Sequence, residues 1–127
     1  MTRREIAVEG LAAPLSHYTD AVVADDTLYL SGILPVDAAG EIVGDEVVAQ
    51  ARQVFANMRQ VLAAAGAEPG DVVKVTIYLL DVDDRPLINP VRQEFFGSAR
   101  PASTLVEVSR LAVPGARLEV EAVAHLR

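Results

Sequence analysis

Residues 118–124 read Leu118-Glu119-Val120-Glu121-Ala122-Val123-Ala124, and this segment gives the clearest indication of the fold. Apolar residues recur at every second position, which predicts a β-strand with one apolar face. Glu119 and Glu121 fall together on the opposite face, because side chains alternate across a strand. Two carboxylates within an otherwise apolar strand either face solvent or a partner, or they line a site. The segment therefore predicts a half-buried strand and, on its second face, a candidate site.

Length and composition indicate one domain that spans residues 1–127. The chain has 127 residues, enough for one hydrophobic core without disulfides or a metal. Hydrophobic residues make up 51% of it, and such a surplus favours a subunit interface. No apolar run approaches the about 20 residues of a membrane span, and the N-terminus lacks a hydrophobic signal core. We therefore expect a cytoplasmic protein.

Several classes of site and partner are disfavoured by the residue types present. The chain has no cysteine, which excludes a disulfide, a thiolate zinc site and a cysteine nucleophile. His17 and His125 lack metal-binding spacing, so we expect no metal site. A net charge of −7 repels phosphate backbones, and we expect no nucleic-acid partner.

Hydrophobic periodicity predicts the element order β-β-β-α-β-α-β-β. The clearest helix covers residues 45–65, with one apolar stripe and Gly66 as its C-terminal cap. A second helix is predicted to begin at Asn89 as the N-cap, with Pro90 at the first helical position. The predicted strands cover residues 4–8, 21–24, 27–31, 72–80, 100–110 and 116–126. The pattern is typical of an α+β fold in which two helices pack on one face of a mixed sheet of about six strands.

The chain resembles the RidA (YjgF) family in the order and spacing of short motifs that span nearly its whole length. The matching segments are Tyr18, Ser31-Gly32-Ile33-Leu34-Pro35 (S-G-Q-I-P in the family), Ala49-Gln50-Ala51-Arg52-Gln53, Ala64-Ala65-Gly66, Gly70-Asp71-Val72-Val73-Lys74, Asn89 with Phe95-Phe96, Pro101-Ala102, Val106-Glu107-Val108, and Glu119-Val120-Glu121-Ala122-Val123-Ala124 (E-I-E-A-I-A in the family). Each segment alone is a weak signal, but together and in this order they are specific.

The resemblance implies a homotrimer with a chorismate-mutase-like fold and clefts between adjacent subunits. It also implies a small-molecule ligand in those clefts. Active members of the family hydrolyse reactive imines and enamines, such as 2-aminoacrylate, to 2-keto acids and ammonia. They do so without a cofactor, and none is expected here.

One position departs from the family in a way that bears on specificity. Active members have an arginine after Pro-Ala that pairs with the substrate carboxylate, and this chain has Ser103 there. A guanidinium offers a charged fork, whereas a hydroxyl offers one neutral donor. The charged hydrogen bond is worth roughly 1.5–3 kcal/mol against about 1 for the neutral one. Arg100 lies on the opposite face of the same predicted strand, so any replacement would come from Arg52, Arg92 or Arg110 of the neighbouring subunit.

Glu121 is the candidate catalytic residue. A carboxylate in a partly dry cleft could activate the attacking water or pass a proton to the leaving ammonia. The alternative is a solvated or ion-paired strand residue. Glu119 shares the same face, but an ion pair with Arg117 or another basic residue accounts for it more simply.

Five further residues are candidates for substrate binding, each with a structural alternative. Tyr18 could cap the cleft or pack as a half-buried ring, and Ser31 could donate to a ligand or serve in a turn. Asn89 could bind a ligand or serve only as the helix cap. Ser103 and Thr104 could bind a polar ligand through their hydroxyls or be ordinary strand residues. The complete binding set is Tyr18, Ser31, Asn89, Ser103 and Thr104.

Two functions remain open on this basis. The first is an imine or enamine hydrolase of the deaminase type, with specificity altered because Ser103 replaces the arginine. The second is a non-catalytic trimer that binds a small metabolite or regulates another protein. The retained Tyr18, Asn89 and Glu121 favour a working pocket, and hence the first function.

Overall fold

The computed structural model describes residues 2–127, and Met1 lies outside the described part. Its first three strands are β1 (Arg3–Ile6), β2 (Ala21–Ala24) and β3 (Thr27–Ile33). The hairpin between β2 and β3 turns at two aspartates, and Asp25 adopts a φ of 52°. Aspartate tolerates this left-handed conformation better than most residues. A turn with this conformation has a backbone twist that matches the twist of the strands in a two-residue hairpin. The hairpin predicted from the Asp25-Asp26 pair is confirmed.

The first helix, α1 (Val47–Ala64), buries the apolar stripe that its periodicity predicts. It ends in a Schellman arrangement. The Ala67 amide donates to the Leu62 carbonyl at 2.8 Å, and the Gly66 amide donates to the Ala63 carbonyl at 3.0 Å. Gly66 has a φ of 76°, which glycine adopts without strain. Its predicted role as the helix terminator is confirmed.

The second helix, α2 (Arg85–Phe96), begins four residues earlier than Asn89, so the predicted start was wrong. Asn89 is an exposed helical residue and not an N-cap, and Pro90 lies inside the helix. Pro86 and Pro90 both favour the start of a helix, because proline suits its first turn. In the structure Pro86 occupies the first turn of α2. Ile88 is fully buried, and its packing keeps the turn before Pro90 helical.

The remaining strands are β4 (Val72–Leu79), β5 (Ala102–Glu107) and β6 (Leu118–His125). All six strands form one sheet in the order β1-β2-β3-β6-β4-β5. The β4–β5 pair is parallel and the other pairs are antiparallel, so the sheet is mixed as predicted. The strand over residues 100–110 is shorter than predicted, because only its central six residues pair with β4.

Both helices cover one face of this sheet and leave the other uncovered by the chain. The covered face packs β3, β4 and β6 side chains against the two helices. Fully buried core residues include Leu28, Met58, Leu62, Ile77, Leu79, Ile88, Leu118 and Val120. Within residues 2–127, no helix has the length and apolarity needed to cross a membrane. The fold is therefore the predicted two-layer α+β arrangement, with one sheet face free to form a site or an interface.

Candidate functional site

A small, mostly apolar pocket lies where β3 ends, and we call it the Tyr18 pocket. It is lined by Leu11, Ala12, Ala13, Leu15, Tyr18, Asp20, Ser31, Gly32, Ile33, Leu34, Val36, Gly40, Asn57, Val61 and Val113. The structure thus brings the predicted residues Tyr18 and Ser31 to one place. The Tyr18 ring is 44% exposed, which leaves it able to contact a ligand from one side.

The Ser31 side chain holds this pocket together. Its hydroxyl donates to the Thr19 carbonyl at 2.5 Å, and its amide donates to the Asp20 carbonyl at 3.0 Å. Asp20 in turn accepts from the Val8 amide at 2.8 Å. These bonds attach the segment before β2 to the end of β3. Ser31 therefore uses its hydroxyl proton within the chain and offers a ligand mainly an oxygen lone pair.

Gly32 allows the Glu119 carboxylate to lie directly against the backbone of β3. The β3–β6 pairing is irregular between Leu30 and Ile33, and a Cβ added at Gly32 would overlap the Glu119 side chain. Glu119 is half-buried, and desolvation raises its pKa, with a further rise from the charge of Glu121. Gly32 also lines the Tyr18 pocket, so the Glu119 carboxylate lies against the backbone of one of the residues that line it.

The ion pair expected between Glu119 and Arg117 does not form. Arg117 instead donates to Asp84 at 2.8 Å and to the Asp45 carbonyl at 3.2 Å. Alternation would place Arg117 and Glu119 on the same face of a continuous strand, but Arg117 precedes β6, and the buried Asp84 carboxylate holds its side chain on the helix side. Within residues 2–127, Glu119 consequently has no cationic partner.

Glu121 lies on the uncovered face of the sheet beside Tyr78. The Tyr78 hydroxyl donates to Glu121 Oε1 at 2.5 Å, as expected for a short O–H···O⁻ bond. This hydrogen bond, followed by desolvation and the charge of Glu121, raises the pKa of Tyr78. One oxygen of the predicted catalytic carboxylate is thus committed to a tyrosine, and the other is free to accept.

Ser103 and Thr104 point to opposite faces of β5. Ser103 faces the helices, where its hydroxyl accepts from Arg92 of α2 at 2.9 Å. Thr104 faces the uncovered side, where its hydroxyl accepts from Lys74 at 2.6 Å. Asn89 lies on α2 one turn before Arg92 and is exposed. Residues three apart on a helix share a face, so Asn89 and Arg92 lie on the same side of α2.

A single chain therefore does not assemble all the predicted site residues. Tyr18 and Ser31 lie at the end of β3, whereas Ser103 lies on the edge strand β5. The two strands are three spacings apart in the sheet, about 14 Å. Within residues 2–127, no cluster of three or more metal-ligating side chains occurs.

Sequence reasoning did not identify Gly32, Tyr78 or Arg92 as site residues of this chain. Gly32 carried a signal, since a glycine at a strand end often marks a close approach. Tyr78 carried a weaker one, because it shares the polar face of β4. Arg92 entered only as a possible contribution from a neighbouring subunit, whereas in the structure it reaches Ser103 of its own chain.

Comparison with known proteins gives a consistent result. Residues 10–126 match the family model described as Endoribonuclease L-PSP. The chain is 40% identical over 128 residues to the 3-aminoacrylate deaminase RutC of Acinetobacter baylyi, covering 99% of this chain and 100% of that protein. It is 38% identical over 125 residues to the 2-iminobutanoate/2-iminopropanoate deaminase of Capra hircus, covering 98% and 90%. The crystal structure of the Rid family protein YyfA of Yersinia pestis superposes with a TM-score of 0.94 at 29% identity, covering 98% and 100%.

Proposed function

Because the chain belongs to the RidA (YjgF) family, we propose that it hydrolyses a small imine or enamine and releases ammonia. The observation that carries this proposal is the pair of carboxylates on one face of β6, with Glu119 packed against Gly32, a residue that lines the Tyr18 pocket. The similarity to deaminases of 2-imino acids and of 3-aminoacrylate supports the reaction class.

The chemistry requires proton transfers that this carboxylate pair can perform. Water adds to the imine carbon, the nitrogen takes up protons, and ammonia leaves as the carbonyl forms. A carboxyl group whose pKa is raised by burial holds a proton closer to neutral pH, as a general acid must. Glu119 meets this requirement and lies against Gly32, which lines the Tyr18 pocket. Glu121, with its free oxygen beside Tyr78, is the candidate acceptor of a proton from the attacking water.

The proposed assembly is a homotrimer with the active cleft between adjacent subunits. Two observations support it. The uncovered sheet face exposes large apolar side chains, including 52% of Tyr29 and 39% of Val106. The candidate site residues also lie in two groups about 14 Å apart in one chain, and a second copy can bring one group to the other.

Substrate specificity is proposed to differ from that of family members with an arginine at the Ser103 position. A neutral hydroxyl replaces a charged fork on β5, so the anionic end of a substrate is held by different atoms. Ribonuclease activity, the one named by the family model, fits poorly with a net charge of −7. We therefore propose a small-molecule ligand and no nucleic-acid partner.

Ammonia release tests the proposal. Imines would be generated in situ by an amino-acid oxidase, and hydrolysis would be compared among wild type, Glu119→Gln and Glu121→Gln. Both variants should lower kcat by about 100-fold or more, the usual range for loss of a general acid or base. Glu94→Gln is the matched control, because Glu94 is an exposed glutamate on α2, 74% accessible and paired with Arg52.

The outcomes separate the two candidate functions. Acceleration by wild type that both β6 variants lose identifies a deaminase. If wild type is inert on every imine tested, the deaminase proposal fails. The absence of an arginine at position 103 would then favour the second candidate, a trimer that binds a metabolite without converting it.

A further inference from the structure

Arg92 is a half-buried cation whose contact in the chain is an uncharged hydroxyl. Its Nη2 atom donates to Ser103 Oγ at 2.9 Å. The Arg92 side chain is partly buried, and this desolvation lowers the pKa of its guanidinium. Within residues 2–127, no carboxylate forms an ion pair with it.

Other arginines of the chain are placed differently. Arg52 pairs with Glu94 at 3.5 Å, and Arg117 pairs with Asp84 at 2.8 Å. A charge that is withdrawn from water without a counter-charge costs free energy, and an arriving anion offsets that cost. Arg92 is therefore available to bind an external anion, whereas Arg52 and Arg117 already form ion pairs with carboxylates of the chain.

Ser103 is placed to assist the same anion. Its oxygen accepts the hydrogen bond from Arg92, so its own hydroxyl hydrogen remains free to donate. The guanidinium has five N–H donors, of which the contact with Ser103 uses one. A carboxylate next to the two residues could then accept a charged fork from Arg92 and one neutral bond from Ser103, a bidentate geometry that arginine favours.

We propose that Arg92, together with Ser103, binds the carboxylate of the substrate, so that α2 supplies a specificity-determining cation for the reaction. The proposal rests on the deaminase function proposed above and assigns residues of this chain to substrate binding. The Arg92 guanidinium comes from α2 and is hydrogen-bonded to the Ser103 hydroxyl. It therefore lies close to the region that the side chain of an arginine at position 103 would occupy. The charge lost from β5 is thereby restored from the helix.

The test compares wild type, Arg92→Gln, Ser103→Arg and the double variant Arg92→Gln/Ser103→Arg on imines of small amino acids. Arg92→Gln should raise KM by about 10- to 100-fold, as expected for loss of a charge-assisted hydrogen bond, with a smaller effect on kcat. The double variant should recover most of the loss, because it returns an arginine to β5. Arg52→Gln, which removes an exposed arginine of α1, should leave KM unchanged.

An imine without a carboxylate sharpens the result. Such an imine can be generated from a primary amine by an amine oxidase. Wild type and Arg92→Gln should hydrolyse it at equal rates if Arg92 acts on the carboxylate alone. Unequal rates by more than about threefold would indicate a general structural role for Arg92 and overturn the proposal.

Binding of 2-oxobutanoate, measured by titration calorimetry, distinguishes this inference from the proposed function. If wild type releases ammonia but Arg92→Gln has the wild-type KM, the deaminase function stands and the carboxylate receptor is overturned. If wild type is inert on imines but binds 2-oxobutanoate, with the affinity lost in Arg92→Gln, the receptor stands and the deaminase function fails. If wild type neither hydrolyses nor binds, both fail.

Discussion

The two faces of the sheet differ in what covers them, although the same strands supply both. On the helix-covered face, Leu28 and Ile77 are fully buried. On the uncovered face, the neighbouring positions Tyr29 and Tyr78 are exposed and half-buried, and they lie beside Lys74 and Glu121. Alternation along each strand thus separates two tasks. One face stabilises the fold, and the other carries the charged and aromatic groups available to a partner or a substrate.

The largest expected effect comes from the covered face. Leu28→Ala removes a side chain with no solvent exposure, and we expect the free energy of unfolding to fall by about 2–5 kcal/mol. Urea denaturation followed by circular dichroism measures this change. A loss no greater than that of Val22→Ala, on the uncovered face of the neighbouring strand, would contradict the division between the faces.

The next effect should come from the uncovered face and appear in assembly. Tyr29→Asp places a charge in the proposed subunit interface. We expect sedimentation velocity to show that the proposed trimer dissociates, and we expect the activity to fall with it. Leu87→Asp is the matched control, because Leu87 is 53% exposed and Tyr29 is 52% exposed, but Leu87 lies on α2. Dissociation of both variants alike, or of neither, would contradict the assignment of this face.

Gly32→Ala tests the connection between the uncovered face and the Tyr18 pocket. The added methyl group displaces the Glu119 carboxylate, the mobile end of a side chain, so stability should change by less than about 1 kcal/mol. Activity should fall about 10-fold or more, because a general acid must be within hydrogen-bond reach of the reacting atom. Thermal unfolding and ammonia release measure the two effects. Gly70→Ala, where an added Cβ meets nothing within 4 Å, should affect neither.

The smallest effect concerns the pH dependence of stability. Burial raises the pKa of Glu119, so the folded chain binds more protons than the unfolded chain between the unfolded and folded pKa values. Stability contributed by this group therefore falls as pH rises through that window. Glu119→Gln should remove this fall and stabilise the protein above it by no more than about 0.5 kcal/mol, because the carboxylate is partly hydrated. Thermal unfolding from pH 4 to pH 8 measures the difference, and a variant less stable than wild type at pH 8 would contradict it.

The sequence predicted the fold in nearly all its elements, because periods of two and of about 3.6 residues report directly on burial. It failed at the start of α2, where Pro86 and Pro90 carry the same local signal. The burial of Ile88 in the hydrophobic core distinguishes them, and that contact is not local.

The candidate site was less predictable, for a reason that the two carboxylates of β6 illustrate. Alternation places Glu119 and Glu121 on one face, but it does not indicate which of the two has the environment that a catalytic carboxylate needs. Their difference depends on the neighbouring strands, since Gly32 of β3 lies against Glu119 and Tyr78 of β4 donates to Glu121. Such cross-strand contacts depend on the register of the whole sheet, and the local sequence of β6 does not reveal them.

The strand order has a consequence for how the chain reaches its folded state. The strand formed last in sequence, β6, lies in the middle of the sheet between β3 and β4. Until it docks, the β1–β3 meander and the β4–β5 pair each present an unpaired edge that can join the same edge of another molecule. Closing the sheet brings together segments separated by most of the chain, which makes folding slow. The time before β6 inserts is therefore the period in which this protein is most exposed to aggregation, and substitutions that weaken β6 should reduce yield before they reduce activity.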